Sequence, residues 1–208
     1  MSTENQSVCA VVVAAGSSRR MGGENKLLLP LCGKPVLAHT LTAFQMCGAV
    51  RDIVLVCREQ DMEVYRTLAA ENGITKLRTL TRGGDTRTES VLAGVSAASE
   101  ACALVAVHDG ARPLVSDEVI TQAVAEAAKT GAAAPVVPVK DSIKRIENGK
   151  IAADVPRDTL AAVQTPQVFR RDMLLHALLD AAANGRSFTD DCAAVEALGQ
   201  TVSEIGRA

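Results

Sequence analysis

Three short segments of this 208-residue chain gather the residue types that handle phosphate and nucleoside groups. The first is Ala14-Ala15-Gly16-Ser17-Ser18-Arg19-Arg20-Met21-Gly22-Gly23, with Lys26 close behind. Small residues let the backbone approach a ligand, and successive free N–H groups form a nest for phosphate oxygens. Two arginines and a lysine add mobile positive charge, so the stretch fits a triphosphate. The second segment is Arg82-Gly83-Gly84-Asp85-Thr86-Arg87-Thr88-Glu89-Ser90. Here Gly83-Gly84 permits backbone contact with a flat base, Asp85 and Ser90 supply polar edges, and Thr86 is a candidate helix N-cap. The third, Val107-His108-Asp109-Gly110-Ala111-Arg112-Pro113, follows an apolar run. Asp109 can order a ribose or a magnesium–phosphate shell, and Arg112 can hold a second phosphate with both arms of its guanidinium. His108 reads as a packed or capping histidine rather than a general base.

Two better-known glycine patterns fail. A dinucleotide fingerprint would need glycine where Ser18 stands, and the one Gly-Lys pair, Gly33-Lys34, is followed by Pro35 with Leu28 at the earlier glycine position of a P-loop. Neither a dehydrogenase nor a P-loop NTPase is supported.

Loops of this kind need a frame that holds them side by side. Short apolar runs at Cys9–Ala14, Ile53–Cys57, Lys76–Leu80, Ala101–Val107 and Ala132–Val137 read as buried strands. Between them Pro35–Met46, Asp61–Asn72, Thr86–Ser99 and Ser116–Thr130 carry apolar residues at helical spacing, with Ser116 as N-cap and Asp117 and Glu118 in its first turn. Strand and helix alternating in this way predict an α/β fold: a doubly wound, mainly parallel sheet with helices on both faces. In such sheets ligands bind beyond the carboxyl ends of the strands, which places the chemistry in the loops after Val13 and after Val107.

From Pro138 to Thr159 the pattern changes to polar–apolar alternation around the turn signal Glu147-Asn148-Gly149. It predicts a β-hairpin arm over about residues 138–159, projecting from a single domain that spans 1–208. An isolated hairpin is marginally stable, so this one is expected to pack on something, such as a second subunit. Helical spacing returns at Arg170–Ala183 and Asp190–Leu198, followed by a short strand at Gln200–Ile205.

Composition narrows the function. A hydrophobic fraction of 48% is enough for a core, but with no Trp, one Tyr and three Phe it offers no stacking platform for single-stranded nucleic acid. A net charge of −2 provides no global basic field for nucleic acid or membrane, so phosphate must be met by a local cluster. The N-terminus has neither a basic leader nor a long apolar stretch, and no apolar run is long enough to span a bilayer. The six cysteines are scattered without metal-ligand spacing and read as reduced thiols. A soluble cytoplasmic protein is the expectation.

Taken in order, AAGSSRRM…K, RGGDTRTESVLAG, VHDGARP, PVKDSIK…VPRDTL, QTPQVF and SFTDD resemble the 2-C-methyl-D-erythritol 4-phosphate cytidylyltransferase family over nearly the whole chain. The resemblance implies a glycosyltransferase-A-like nucleotidyltransferase fold and a homodimer formed through the arm. It implies transfer of CMP from CTP to the polyol phosphate, with release of pyrophosphate, in isoprenoid precursor synthesis. Arg20 and Lys26 match the family's transition-state stabilisers. Ala14, Ala15, Gly16, Gly83, Asp85, Ser90 and Asp109 match CTP-binding positions, and Arg112, Ser142, Arg157 and Thr165 match acceptor-binding ones. Ser142 stands where the family commonly has threonine, and Arg157 is the arm residue that would reach the neighbouring subunit's acceptor. Magnesium is expected, mainly on the CTP phosphates. The family pattern continues past Gly206-Arg207-Ala208 into Asn-Ile-Lys; that acceptor-positioning lysine is not among these residues, and a form without it is expected to be impaired. Two other functions share these features: a ribitol-5-phosphate cytidylyltransferase, and a nucleotide-binding subunit without turnover.

Overall fold

The computed structural model describes residues 7–16 and 25–206. The chain begins with β1 (Val8–Ala14), continues through the short strands β2 (Pro30–Leu31) and β3 (Lys34–Pro35), and then enters α1 (Val36–Met46). Next come β4 (Val50–Cys57), α2 (Met62–Glu71), β5 (Leu77–Arg82), α3 (Arg87–Ala97), β6 (Leu104–Asp109), α4 (Asp117–Thr130) and β7 (Ala132–Pro138). The arm strands β8 (Ile143–Glu147) and β9 (Lys150–Val155) follow. The chain then runs through β10 (Ala161–Val163), β11 (Gln167–Arg170), α5 (Arg171–Ala183), α6 (Asp191–Glu196) and β12 (Ser203–Gly206).

Eight strands form one sheet in the order β10-β7-β11-β6-β1-β4-β5, with β12 also paired to β7. β5, β4, β1 and β6 are parallel neighbours, and β12 runs parallel to β7. β11 and β10 are antiparallel to their neighbours. The mainly parallel sheet is therefore as expected, with two reversed strands that the sequence reading did not contain. β11 has only four residues and β10 three, too short for an alternation to stand out.

Centrally placed β1 is covered on both faces, which is why Val8–Ala14 is an almost unbroken apolar run. Its odd-numbered residues Cys9 and Val11 pack with Val91 and Val95 of α3 and Leu174 and Leu178 of α5. Its even-numbered residues Ala10 and Val12 pack with Leu37, Leu41 and Phe44 of α1 and Tyr65 and Leu68 of α2. α4 extends this second layer by setting Ala123 and Ala127 against Leu104, Ala106 and Val168.

Local signals decide the helix ends. Thr86 and Glu89 form a reciprocal capping box at the start of α3, and Ser116 accepts from the Val119 amide at the start of α4. Other boundaries shift. β6 starts at Leu104 rather than Ala101 and runs on to Asp109, and the last strand lies at Ser203–Gly206 rather than Gln200–Ile205.

The arm is present, and its turn is the one its residues call for. Asn148 and Gly149 both have positive φ, 50° and 74°, so the two-residue connection matches the twist of β8 and β9. The arm leaves the sheet at Pro138 and rejoins it opposite its own point of departure, where Ala161 pairs with Pro138.

Candidate active site

The parallel register sets the loops beside one another. Val13 of β1 lies opposite Asp109 of β6, and Cys57 of β4 lies opposite Arg82 of β5. The four carboxyl ends therefore converge where the strand order switches, β1 having β4 on one side and β6 on the other, the position at which open α/β sheets bind ligands. They enclose a cleft of about 1090 Å³.

Ala14, Ala15, Gly16, Lys26, Gly83, Asp85, Ser90, Asp109 and Arg112 all line this cleft, so nine of the residues expected from sequence are brought together. Arg20 lies outside the described residues. The remaining three stand elsewhere. Thr165 is buried behind the cleft, where its hydroxyl meets His108 Nδ1 at 2.9 Å. Ser142 and Arg157 are exposed at the arm, and the Arg157 guanidinium donates to the Lys140 carbonyl at 2.7 Å.

Lys26 is held by its neighbours. The Asn25 side chain donates to the Tyr65 hydroxyl at 2.9 Å and accepts from the Leu27 amide at 3.2 Å, while Leu27 is buried against α1 and α2. Burial pushes the Tyr65 phenol up to about 12 despite the Asn25 hydrogen bond, so it stays neutral as an anchor.

Gly83 explains itself by close approach. A Cβ there would lie 2.6 Å from the Ala15 Cβ and 2.8 Å from Ser90 Oγ, so any side chain would force the first two loops apart. Ser90 Oγ donates to the Thr86 carbonyl at 2.9 Å, so the hydroxyl that lines the cleft there has only acceptor capacity left to offer. Beside it, Glu89 accepts from the amides of Asp85 and Thr86 at 2.7 and 3.1 Å and fixes the turn.

Asp109 receives two guanidinium groups: Arg112 Nε at 2.9 Å on one oxygen and Arg87 Nη2 at 3.4 Å on the other. Burial pushes its carboxyl up, but the Arg112 hydrogen bond and the charges of Arg87 and Arg112 outweigh burial and hold it below the usual carboxylate range. The carboxylate is therefore ionised throughout the neutral range. His108 is buried, as expected of a packed histidine. Its Nε2 lies 3.1 Å from the Arg112 carbonyl, which can only accept, so the ring donates there and receives the Thr165 hydroxyl at Nδ1. Phe44 packs edge-on against the ring at 4.9 Å.

Sequence reasoning did not assign Arg58, Arg82 and Arg87, all of which reach this cleft. Arg58 carries a signal that could have been read: it directly follows β4, at the carboxyl end of a parallel strand. Among the described lining residues five cations (Lys26, Arg58, Arg82, Arg87, Arg112) face three carboxylates (Glu59, Asp85, Asp109). A chain with net charge −2 thus holds a locally cationic cleft, suited to a polyanion. No group of three or more His, Cys, Asp or Glu side chains that could cage a metal occurs among the described residues. Asp109 is the carboxylate at the cleft floor, which fits a magnesium ion held chiefly by substrate phosphates with few protein ligands.

A doubly wound sheet whose carboxyl edge opens into a glycine-lined, cation-ringed cleft defines a nucleotide-binding α/β protein. Comparison with known proteins makes this specific. The family model for 2-C-methyl-D-erythritol 4-phosphate cytidylyltransferase matches residues 8–206. A protein of that name from Bacillus licheniformis is 44% identical over 196 residues, 94% of this chain and 84% of the relative. Another from Dehalococcoides mccartyi is 42% identical over 195 residues, 93% of this chain and 84% of the relative. The crystal structure of the Thermus thermophilus cytidylyltransferase superposes with a TM-score of 0.75 at 30% identity, covering 96% of this chain and 88% of that one. The Anaerococcus prevotii 4-diphosphocytidyl-2C-methyl-D-erythritol synthase gives a TM-score of 0.87 at 25% identity, covering 98% and 88%.

The chain belongs to the 2-C-methyl-D-erythritol 4-phosphate cytidylyltransferase family. It is a nucleotidyltransferase of isoprenoid precursor biosynthesis that joins CTP and 2-C-methyl-D-erythritol 4-phosphate into 4-diphosphocytidyl-2-C-methyl-D-erythritol.

Proposed function

We propose that the cleft at the strand carboxyl ends performs this transfer by neutralising and aligning two anions, with no protein base. The observation that carries the reading is the ring of cations around Gly83, Ser90 and Asp109. The acceptor brings its own nucleophile, because a phosphate monoester with a second pKa near ~6 is largely dianionic at neutral pH. One of its oxygens attacks the α-phosphorus of CTP in line, and the bond to pyrophosphate breaks. Arg20 and Lys26 stabilise the charge that builds on the α-phosphate and the leaving group. Ala14, Ala15, Gly16, Gly83, Asp85 and Ser90 seat the nucleotide, with Asp109 at the ribose and phosphate. Magnesium on the CTP phosphates, beside Asp109, would add charge neutralisation. Arg112, Thr165, Ser142 and Arg157 align the acceptor, which fixes the attack geometry before reaction.

The arm residues act in a homodimer. Ser142 and Arg157 lie outside the cleft of their own chain, and the arm exposes Ile146 (59%) and Ile151 (70%). A second copy would cover these apolar residues and receive Arg157 at its acceptor. A cytoplasmic setting accords with six cysteines in no disulfide, and among the described residues no helix is long and apolar enough to cross a membrane.

A pyrophosphate-release assay with CTP tests the reading. Methylerythritol phosphate should support turnover, and ribitol 5-phosphate should support it far less. Equal or better use of ribitol 5-phosphate would shift the acceptor assignment. CTP binding without pyrophosphate release from either acceptor would establish the non-catalytic alternative.

A further inference from the structure

We infer that Arg87 is a positioning residue for the transfer, braced from below by the buried carboxylate of Asp191 and acting through Asp109; this rests on the function proposed above. Arg87 opens α3 and reaches two carboxylates with separate nitrogens. Nη1 lies 2.7 Å from Asp191 at the start of α6, and Nη2 lies 3.4 Å from Asp109 at the cleft floor. Asp109 passes the constraint to Arg112, whose Nη1 donates to the Gln164 side chain at 2.5 Å. Alternating charge therefore runs Asp191–Arg87–Asp109–Arg112, from the interior to the acceptor side of the cleft.

A tie between α3 and α6 does not by itself require this pair. The segment ahead of α6 is already joined to α3 by the Phe188 amide donating to Thr88 Oγ1 at 3.0 Å and by the contact of Thr88 with Ser187 at 3.4 Å. The amides of Asp191 and Cys192 are both taken up by the Gln167 side chain at 3.0 and 3.2 Å. Uncharged bonds thus dock α6, yet an aspartate with only 2% of its side chain exposed stands there, its carboxyl pushed up by burial and drawn back by the charge and hydrogen bond of Arg87. Burying a charge costs several kcal/mol, and apolar replacement of such a pair is often neutral for stability. What an apolar pair could not do is hold the second fork of Arg87 on Asp109. A planar guanidinium bridges two carboxylates in one fixed geometry, and an ammonium does not.

The test uses the full chain, with pyrophosphate release measured against CTP and methylerythritol phosphate, and thermal unfolding alongside. Arg87→Lys keeps the charge and loses the fork; kcat should fall about 10–100-fold, the usual scale for removing an orienting partner, while CTP KM changes by about threefold or less. Asp191→Asn retains an acceptor for Arg87 and should keep most of kcat. Should Arg87→Lys fail to fold, the double replacement Arg87→Met/Asp191→Leu removes both charges together, a change that is often neutral for stability, and should show the same loss of kcat. A folded Arg87→Lys or double variant with unchanged kcat overturns the inference. So does an activity loss that only tracks the loss of folded protein. Failure of the underlying function shows differently, as a wild-type chain that releases no pyrophosphate from either acceptor.

Discussion

The loops at the strand carboxyl ends and the hairpin that leaves at Pro138 belong to one sheet, yet their side chains are surrounded in opposite ways. In the cleft, Asp109, Arg87 and Arg112 interlock, Thr165 and His108 are buried behind them, and Lys26 is pinned between Asn25 and Leu27. Across β8 and β9 every residue but Ile143 and Val155 is exposed, including the β-branched pair Ile146 and Ile151. One region is preorganised by its own chain, as electrostatic catalysis requires, because donors that must turn toward a transition state lose part of their advantage. The other is a two-stranded hairpin whose Ile146 and Ile151 side chains are left largely uncovered by this chain. The difference separates two tasks. On the function proposed above, nucleotide handling is built within one subunit, and acceptor handling would be shared between Arg112 in the cleft and Arg157 on the arm.

Lys26→Ala should break the cleft side of this comparison with the largest effect. By analogy with removing one transition-state donor, kcat should fall by about 10²–10³-fold. Asn25 and Leu27 anchor the turn on either side, so thermal unfolding run alongside separates a loss of chemistry from a loss of fold. Unchanged turnover would remove Lys26 from the mechanism.

The arm side is tested by Ile146→Thr/Ile151→Thr. Burying an isoleucine side chain is worth about 1.5–3 kcal/mol, so losing two from the proposed subunit interface should weaken association by at least about tenfold. Analytical ultracentrifugation across a dilution series would read this directly. Specific activity should fall with the dimer fraction, while CTP binding, which the proposed function assigns to the cleft, should persist. A variant that is monomeric and fully active would dissolve the division of labour.

How legible each region was follows from the same contrast. The strands that carry the cleft are long, apolar and bounded by glycine or polar residues, so β1, β4 and β6 could be read, and the rule for parallel sheets then located the loops. The arm was legible for another reason: Asn148-Gly149 between alternating residues is a local turn code. What stayed hidden depends on distant partners. Strands β10 and β11 are short segments that exist because β7 and β6 offer edges to pair with. Arg87 looked like any first-turn residue of α3, and only the fold brings Asp191, 104 positions away, to its side. Thr165 could be matched by resemblance, but nothing in the sequence says that its hydroxyl faces the ring of His108.

The smallest effect contrasts two carboxylates under acid. Asp109 sits between two guanidinium groups that hold its carboxyl below the usual range, whereas Asp154 pairs with Lys144 on the open arm. A carboxyl whose folded pKa is depressed adds stability that is fully present above the unfolded value, near ~3.9, and is lost as pH falls through the folded value. Asp109→Asn should therefore lower the melting temperature at pH 7 and pH 5 by a similar amount. The gap to wild type should close as pH falls below about 4, where the unfolded carboxyl takes up its proton before the native one. Asp154→Asn should change little at any pH, because exposed pairs contribute about 0–1 kcal/mol or nothing measurable. Thermal unfolding of the three proteins across pH 7 to 3 makes the comparison. A gap for Asp109→Asn that widened on acidification would mean that burial, not the two arginines, governs that carboxyl, and the cleft would lose the fixed charge on which its alignment of Arg112 depends.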